Sequence, residues 1–174
     1  NGQKWVLDMH YINPTDKTLI VQNGVNFGIV DPDEVEHWAA PVRMDGGILE
    51  LPPGEATTVT FDCEWPSDVH VLSIGGHMHE WGTSFLVEHL KVDGSTEPVY
   101  DIDPWLEEYR DFPILALFDA EELAVGAGES FRTFCNWFNT TDATLSFPEE
   151  MCTTFVVAYP LDSALSCVEG TYTD

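Results

Sequence analysis

Two histidines separated by one residue, His77 and His79, are the residues of this sequence best suited to bind a metal ion. In a β-strand, residues two apart point to the same face, so both imidazoles can converge on one ion. The even-numbered Leu72, Ile74 and Met78 are apolar, and we expect them to face the core. The two histidines then project from the opposite face, where Gly75 leaves room for a metal and a substrate.

Met151 is the next candidate ligand, because it opens an apolar strand. A thioether is a soft ligand, and two imidazoles with a thioether favour copper, Cu(I) in particular, over zinc, magnesium or calcium. One alternative is that Met151 only fills a gap in the core. Another places zinc at His77 and His79 with the carboxylate of Glu80, although Glu80 points to the opposite face of a regular strand.

The other four histidines carry weaker signals. His10 shares a strand face with Asp8, which is the pattern of a surface pair or of a ligand with a supporting carboxylate. His70 has the parity of the apolar residues of its strand, so we interpret it as a packed structural histidine. His37 and His89 lack polar partners nearby in sequence, and we interpret them as surface residues.

The four cysteines form an even set without a CxxC pair, which favours two disulfides in an oxidising compartment over a four-cysteine zinc site. Spacing alone leaves all three pairings open. The cysteines are Cys63, Cys135, Cys152 and Cys167.

The 174 residues carry 6 basic and 31 acidic side chains, for a net charge of −25. This charge argues against nucleic acid and against an anionic membrane surface as partners. No apolar run approaches the roughly 20 residues of a membrane-spanning helix, so we expect no membrane span. The chain begins with Asn1 rather than Met, and we expect it to be processed or cut from a longer protein.

A hydrophobic period of two dominates the sequence and predicts short strands separated by turns. Two short helical turns are expected, over 105–109 and 119–123. Frequent short strands without alternating helices indicate an antiparallel β-sandwich. The acidic stretch 31–46 is interpreted as a loop within the domain. The predicted strands cover 5–12, 57–61, 69–79, 83–92, 130–138 and 151–159.

Three motifs resemble the C-terminal catalytic half of the copper type II, ascorbate-dependent monooxygenases, the family of peptidylglycine α-hydroxylating monooxygenase and dopamine β-monooxygenase. These motifs are Asp8–Tyr11, His77–Gly82 and Glu149–Cys152. The cysteines also fall where that family places its own. We therefore expect an all-β fold, an antiparallel β-sandwich of jelly-roll type, over 15–174, preceded by an inter-domain junction strand over 1–14.

The resemblance implies that His77, His79 and Met151 hold the copper that binds O2 and substrate. His10 resembles the last of three histidines that hold a second, electron-storing copper, so it would form part of that site. The implied reaction is hydroxylation of an unactivated C–H bond with O2 and with ascorbate or another one-electron reductant. No protein acid or base is needed beyond the metal ligands.

The resemblance also implies the disulfides Cys63–Cys167 and Cys135–Cys152. Two disulfides in an oxidising compartment predict a secreted, periplasmic or extracellular location. The second disulfide would fix the residue adjacent to Met151.

Two departures from the family pattern shape these expectations. The adjacent His-His pair of the electron-storing site has no counterpart here, so the chain would need an N-terminal half-domain. In the peptidylglycine branch an Arg, an Asn and a Tyr hold the carboxylate of the peptide, but this chain has Gly75, Thr153 and Phe155 there. A small neutral or cationic substrate is therefore expected. The alternative is a secreted β-sandwich that binds copper, or acts as an interaction module, without catalysis.

Overall fold

The computed structural model describes residues 11, 13 and 15–173, and the chain divides into two compact units, 1–34 and 35–174. The first unit ends in a short 3-10 helix, Pro32–Glu34. The predicted junction strand and His10 lie outside the described residues, apart from residues 11 and 13. Several large apolar side chains of this unit are exposed, namely Leu19, Ile20, Val21, Val25, Phe27, Ile29 and Val30.

The second unit is an all-β sandwich, as predicted. A 3-10 helix at Glu107–Arg110 and a turn closed by the N–H of Glu122 on the carbonyl of Asp119 occupy the two places where helical turns were expected. The strands are β1 (Ala40–Asp45), β2 (Ala56–Glu64), β3 (Val69–His77), β4 (Gly82–Leu90), β5 (Thr96–Ile102), β6 (Leu115–Leu117), β7 (Leu123–Val125), β8 (Ser130–Phe138), β9 (Thr153–Tyr159), β10 (Leu165–Val168) and β11 (Thr171–Thr173).

Within the described residues the strands form two sheets. The first has the order β11-β10-β1-β9-β3-β6, and β7 pairs with another part of β3. The second has the order β2-β8-β4-β5. All pairs are antiparallel except β1 with β10, which is parallel. Strands β3 and β9 lie side by side in the first sheet, which brings His77 and the residues after Met151 onto neighbouring strands.

The core lies between the two sheets and is built by the alternation of apolar and polar residues. In β8, for example, Phe131, Thr133, Cys135 and Trp137 are buried while the residues between them are partly exposed. The sheets approach closely at Gly76, where an added Cβ would lie 2.7 Å from a ring carbon of Phe85 in the opposite sheet.

The interpretation of 31–46 as a loop is wrong over its second half. Strand β1 runs through it, pairs with β9 on one side and β10 on the other, and buries Val42 and Met44. The division between the two compact units also falls inside this stretch, at 34/35. The sequence signal is weak because the strand contains Pro41, which disfavours a central strand. Pairing with β10 starts only at Val42, so Pro41 has a β-sheet neighbour on one side alone.

A β-bulge in β3 changes which residues face the core. The pairing with β9 shifts between Val71 and Ser73, so Leu72 is the extra residue. Before the bulge Val71 is buried, and after it Ile74 is buried. His70 therefore lies on the outer face of the sheet, with His77, and the parity that placed His70 on the core face is wrong.

Both disulfides implied by the family resemblance are present, and each joins the two sheets. Cys63 of β2 bonds to Cys167 of β10, with their Cα atoms 6.2 Å apart. Cys135 of β8 bonds to Cys152, which precedes β9, with their Cα atoms 6.0 Å apart. No helix among the described residues is long and apolar enough to span a membrane.

Candidate metal centre

The imidazoles of His77 and His79 meet at the end of β3. Their Nε2 atoms lie 3.2 Å apart, and both side chains are half-buried. Met78 between them is fully buried, as its parity predicted. The strand alternation therefore brings the two predicted nitrogen ligands together on one side of the sheet.

A backbone contact fixes the orientation of the His79 ring. Its Nδ1 lies 2.8 Å from the carbonyl oxygen of Glu149. Because a carbonyl can only accept, Nδ1 carries a proton, and in the neutral imidazole Nε2 is then the unprotonated nitrogen. Metal-binding histidines are oriented in this way, with the second ring nitrogen donating to a carbonyl or carboxylate.

Met151 lies on the segment that faces this histidine loop. His77 is the last residue of β3 to pair with β9, where its partner is Thr153. Beyond that pair, the N–H of His79 donates to the carboxylate of Glu150, and its Nδ1 lies 2.8 Å from the carbonyl oxygen of Glu149. Met151 is half-buried and also lines a cavity of about 250 Å³ together with Arg43, Leu49 and Phe147. Its role as a sulfur ligand stays a prediction.

Glu150 is a residue of this region that the sequence analysis missed. Its side chain is fully buried, and its carboxylate accepts hydrogen bonds from the backbone N–H groups of His79 and Trp81, both at 2.9 Å. A signal for it exists in the sequence. Glu150 has the parity of Cys152, the buried residue two positions on, so a strand-like count places it on the core side.

Charged groups of both signs surround His77. Burial lowers the pKa of His77, and the nearby His79 lowers it further. The neutral form, which a metal requires, is thus favoured at neutral pH. Arg110 pairs with Glu80 at 2.6 Å and with Asp111 at 3.0 Å. A hydrogen bond from Arg110 lowers the pKa of Asp111.

The pairing of Glu80 bears on the zinc alternative. Its side chain is exposed, and its Oε2 accepts a hydrogen bond from Arg110. Among residues 11, 13 and 15–173, no group of three or more His, Cys, Asp or Glu side chains is arranged to hold a metal ion. The predicted copper ligands are not a group of this kind, because only two of them are histidines and the third is the thioether of a methionine.

The nitrogen pair has a spacing that fits a first-row metal ion. At the usual Zn–N distance of about 2.0–2.1 Å, two nitrogens in tetrahedral positions lie about 3.3 Å apart. The Nε2 atoms of His77 and His79, at 3.2 Å, match this spacing. The thioether predicted as third ligand would favour Cu(I).

The sheet face next to His77 is apolar where the peptidylglycine branch has an Arg. A Cβ added at Gly75 would lie 2.7 Å from Cδ2 of Leu115, so the Leu115 side chain occupies the space that a larger residue would need. Phe155 pairs with Gly75 from β9 and is 46% exposed. Its ring centroid lies 6.3 Å from that of His77.

Three other histidines lie apart from the pair. The ring of Tyr159 stacks between those of His37 and His70, with centroid distances of 5.0 and 5.1 Å. His70 is thus packed, as predicted, although on the outer face. The interpretation of His89 as a surface residue is wrong. It is 2% exposed, and its Nε2 lies 2.7 Å from Oε2 of Glu129.

Comparison with known proteins gives a distant similarity to a protein named as a DBH-like monooxygenase. The human DBH-like monooxygenase protein 1 is 23% identical to 93% of this chain, and the chain spans 29% of the length of that protein. No family model matches the sequence.

Solved structures add little. The infectious bursal disease virus Gx strain structure aligns with 77% of this chain and 38% of its own chain, with 12% identity and a TM-score of 0.33. The Yersinia pseudotuberculosis-derived mitogen aligns with 63% of this chain and 88% of its own, with 11% identity and a TM-score of 0.27. Scores this low do not establish a shared fold.

Proposed function

We propose that this chain is the oxygen-binding domain of a copper-dependent monooxygenase, with His77, His79 and Met151 as the copper ligands. The supporting observation is the convergence of the His77 and His79 Nε2 atoms, 3.2 Å apart, beside the segment that carries Met151. The distant similarity to a DBH-like monooxygenase points to the same chemistry.

The bound copper would supply O2 binding and one-electron redox chemistry. In the proposed reaction one oxygen atom of O2 would enter a C–H bond of the substrate and the other would leave as water, with two electrons from two equivalents of ascorbate or another one-electron reductant and two protons from solvent. The protein presents the ligands. His79 offers Nε2 because Nδ1 donates to the carbonyl of Glu149, and burial keeps His77 in its neutral form.

The complete enzyme would need an N-terminal half-domain with a second, electron-storing copper, to which His10 would contribute one ligand. We propose a secreted, periplasmic or extracellular location, in keeping with the two disulfides.

The proposed substrate is a small neutral or cationic molecule. Leu115 lies over Gly75, and Phe155 lies beside it, so this face offers apolar contact rather than a free cation for a carboxylate. Arg43, on the neighbouring strand, is paired with Asp45. The net charge of −25 also repels anions. Calorimetry with a glycine-extended peptide should give no binding heat, whereas a clear signal would contradict this substrate class.

X-ray absorption on the Cu(I)-loaded protein tests the metal site. We expect one sulfur and two imidazole nitrogens around copper, and loss of the sulfur in Met151→Ala. The matched control is Met78→Leu, which removes the buried thioether that lies between the two histidines and should leave the sulfur signal in place. Stoichiometric binding of zinc but not of Cu(I), or a sulfur signal that disappears in Met78→Leu, would contradict the proposal.

A further inference from the structure

The carboxylate of Glu150 lies at the junction of three segments that the sequence separates widely. It is fully buried, and its contacts are with the loop that follows β3, the segment that leads into β9 and strand β8 of the opposite sheet. A buried carboxylate is destabilising unless hydrogen-bond donors surround it. The donors that contact Glu150 therefore indicate what this side chain does.

Four N–H groups point at this one side chain. Oε1 accepts from the backbone N–H of Trp81 at 2.9 Å. Oε2 accepts from the backbone N–H of His79 at 2.9 Å, from the indole Nε1–H of Trp137 at 3.0 Å and from the backbone N–H of Met151 at 3.3 Å. The backbones of a predicted nitrogen ligand and of the predicted sulfur ligand thus meet at one oxygen atom.

We infer that Glu150 is a positioning residue, which holds the backbones of His79 and Met151 together and anchors both to the second sheet through Trp137. This inference rests on the proposed function, because it assigns the purpose of that arrangement to the metal site. Trp137 is fixed in turn, since it is buried two residues after Cys135, whose disulfide leads back to Cys152 beside Met151.

The chemistry of the contacts explains why a carboxylate occupies this position. An ionised carboxylate only accepts hydrogen bonds, and here both of its oxygens face donors. In Glu150→Gln an amide NH2 replaces one oxygen and meets an N–H group, so at least one hydrogen bond is lost inside the protein while the shape is kept.

The experiment compares the full chain with Glu150→Gln and two control variants. Glu64→Gln makes the same charge change at an exposed position of β2. Val125→Ala removes buried contacts in β7, which pairs with the end of β3 that lies away from His77. Amide and indole hydrogen exchange is followed by NMR on the metal-free protein, and Cu(I) affinity is measured by competition with a chromophoric chelator.

In Glu150→Gln we expect exchange at His79, Trp81, Met151 and the Trp137 indole to be at least tenfold faster, with residues of β4 and β5 unchanged. Cu(I) affinity should fall 10- to 100-fold, as for other residues that orient metal ligands. Val125→Ala should speed exchange in β7 and leave Cu(I) affinity within twofold, and Glu64→Gln should change neither.

The two readouts separate the two claims. Unchanged exchange at the four sites, or acceleration spread evenly over both sheets, would overturn the positioning role whatever the metal does. Local acceleration with unchanged Cu(I) affinity would overturn its connection to the metal site. If the unmodified chain binds no Cu(I), the proposed function fails, while the exchange data still decide whether Glu150 holds the two segments together.

Discussion

The regions around Glu150 and around His89 use the same two residue types in opposite ways. Near Glu150 the acid is buried, and the two histidines beside it stay half-buried with their Nε2 atoms facing each other. At His89 the imidazole is buried and the acids are more exposed. Its Nε2 lies 2.7 Å from Glu129, and its Nδ1 lies 3.5 Å from Glu97.

This difference separates a ligand-type histidine from a structural one. A histidine whose ring nitrogens both face carboxylates has no lone pair directed at open space. A buried acid that instead binds backbone N–H groups fixes the loop that carries a histidine and leaves the ring nitrogens available. What decides the role of a histidine here is the group that faces its Nε2.

Removal of an imidazole should distinguish the two regions most strongly. We expect His77→Ala or His79→Ala to lower the Cu(I) affinity at least 1,000-fold, about 4 kcal/mol, because one of three proposed ligands is lost. His89→Ala should leave the affinity within twofold. Competition with a chromophoric Cu(I) chelator measures both, and an equal loss in His89→Ala would show that copper binds elsewhere.

The disulfide beside Met151 should affect both stability and copper. Cys135 and Cys152 are 17 residues apart, and closure of such a loop contributes about 3 kcal/mol in the chain-entropy model. The double variant Cys135→Ala/Cys152→Ala should lose about that free energy of unfolding in urea, and its Cu(I) affinity should fall as well. Removal of Cys63–Cys167 instead should leave Cu(I) affinity unchanged, and a loss of affinity in that variant would contradict the local role of Cys135–Cys152.

The structural role of His89 should appear in the free energy of unfolding. His89→Ala removes a buried imidazole that packs against Phe131 and binds Glu129, and we expect a loss of about 2 kcal/mol in urea unfolding. His37→Ala removes an exposed ring that stacks on Tyr159, and it should lose less, at most about 1 kcal/mol. Equal losses would mean that the burial of His89 contributes nothing.

The alternation of apolar and polar residues along the chain predicted much of the fold. Strand β8 was predicted with the bounds that the structure has, and β2, β3, β4 and β9 were predicted within a few residues. The alternation is regular in β4 and β8, whereas β3 is interrupted by its bulge. The pair His77 and His79 followed from the same alternation. The disulfide pairing had no such source, since spacing left three pairings open and only the family resemblance chose between them.

The wrong or missing predictions for individual side chains concern residues whose surroundings come from other parts of the chain or from a strand irregularity. The extra residue Leu72 reverses the facing of His70, and a straight count of parity cannot register a bulge. His89 has the parity of the buried Phe85 and Val87, so the alternation of β4 places it on the core side. That signal was overlooked because its carboxylate partner Glu129 lies 40 residues away in the sequence. Glu150 was overlooked because an acid next to Glu149 suggests a solvated turn, although its four donors come from β8 and from both ligand segments.

The smallest expected effect concerns pH and the His89 region. The N–H of Gly126 and the ion pair with His89 lower the pKa of Glu129 below the usual 4.5. A carboxyl whose pKa is lower in the folded state stabilises the fold above the unfolded pKa, and this stabilisation is lost as the pH falls through the folded pKa. The difference in unfolding free energy between the unmodified chain and Glu129→Gln should therefore shrink as the pH drops from 7 to 3. Urea titrations at several pH values measure this difference. A difference that stays constant from pH 7 to pH 3 would mean that Glu129 titrates alike in the folded and the unfolded chain. Its contact with His89 would then add nothing to stability.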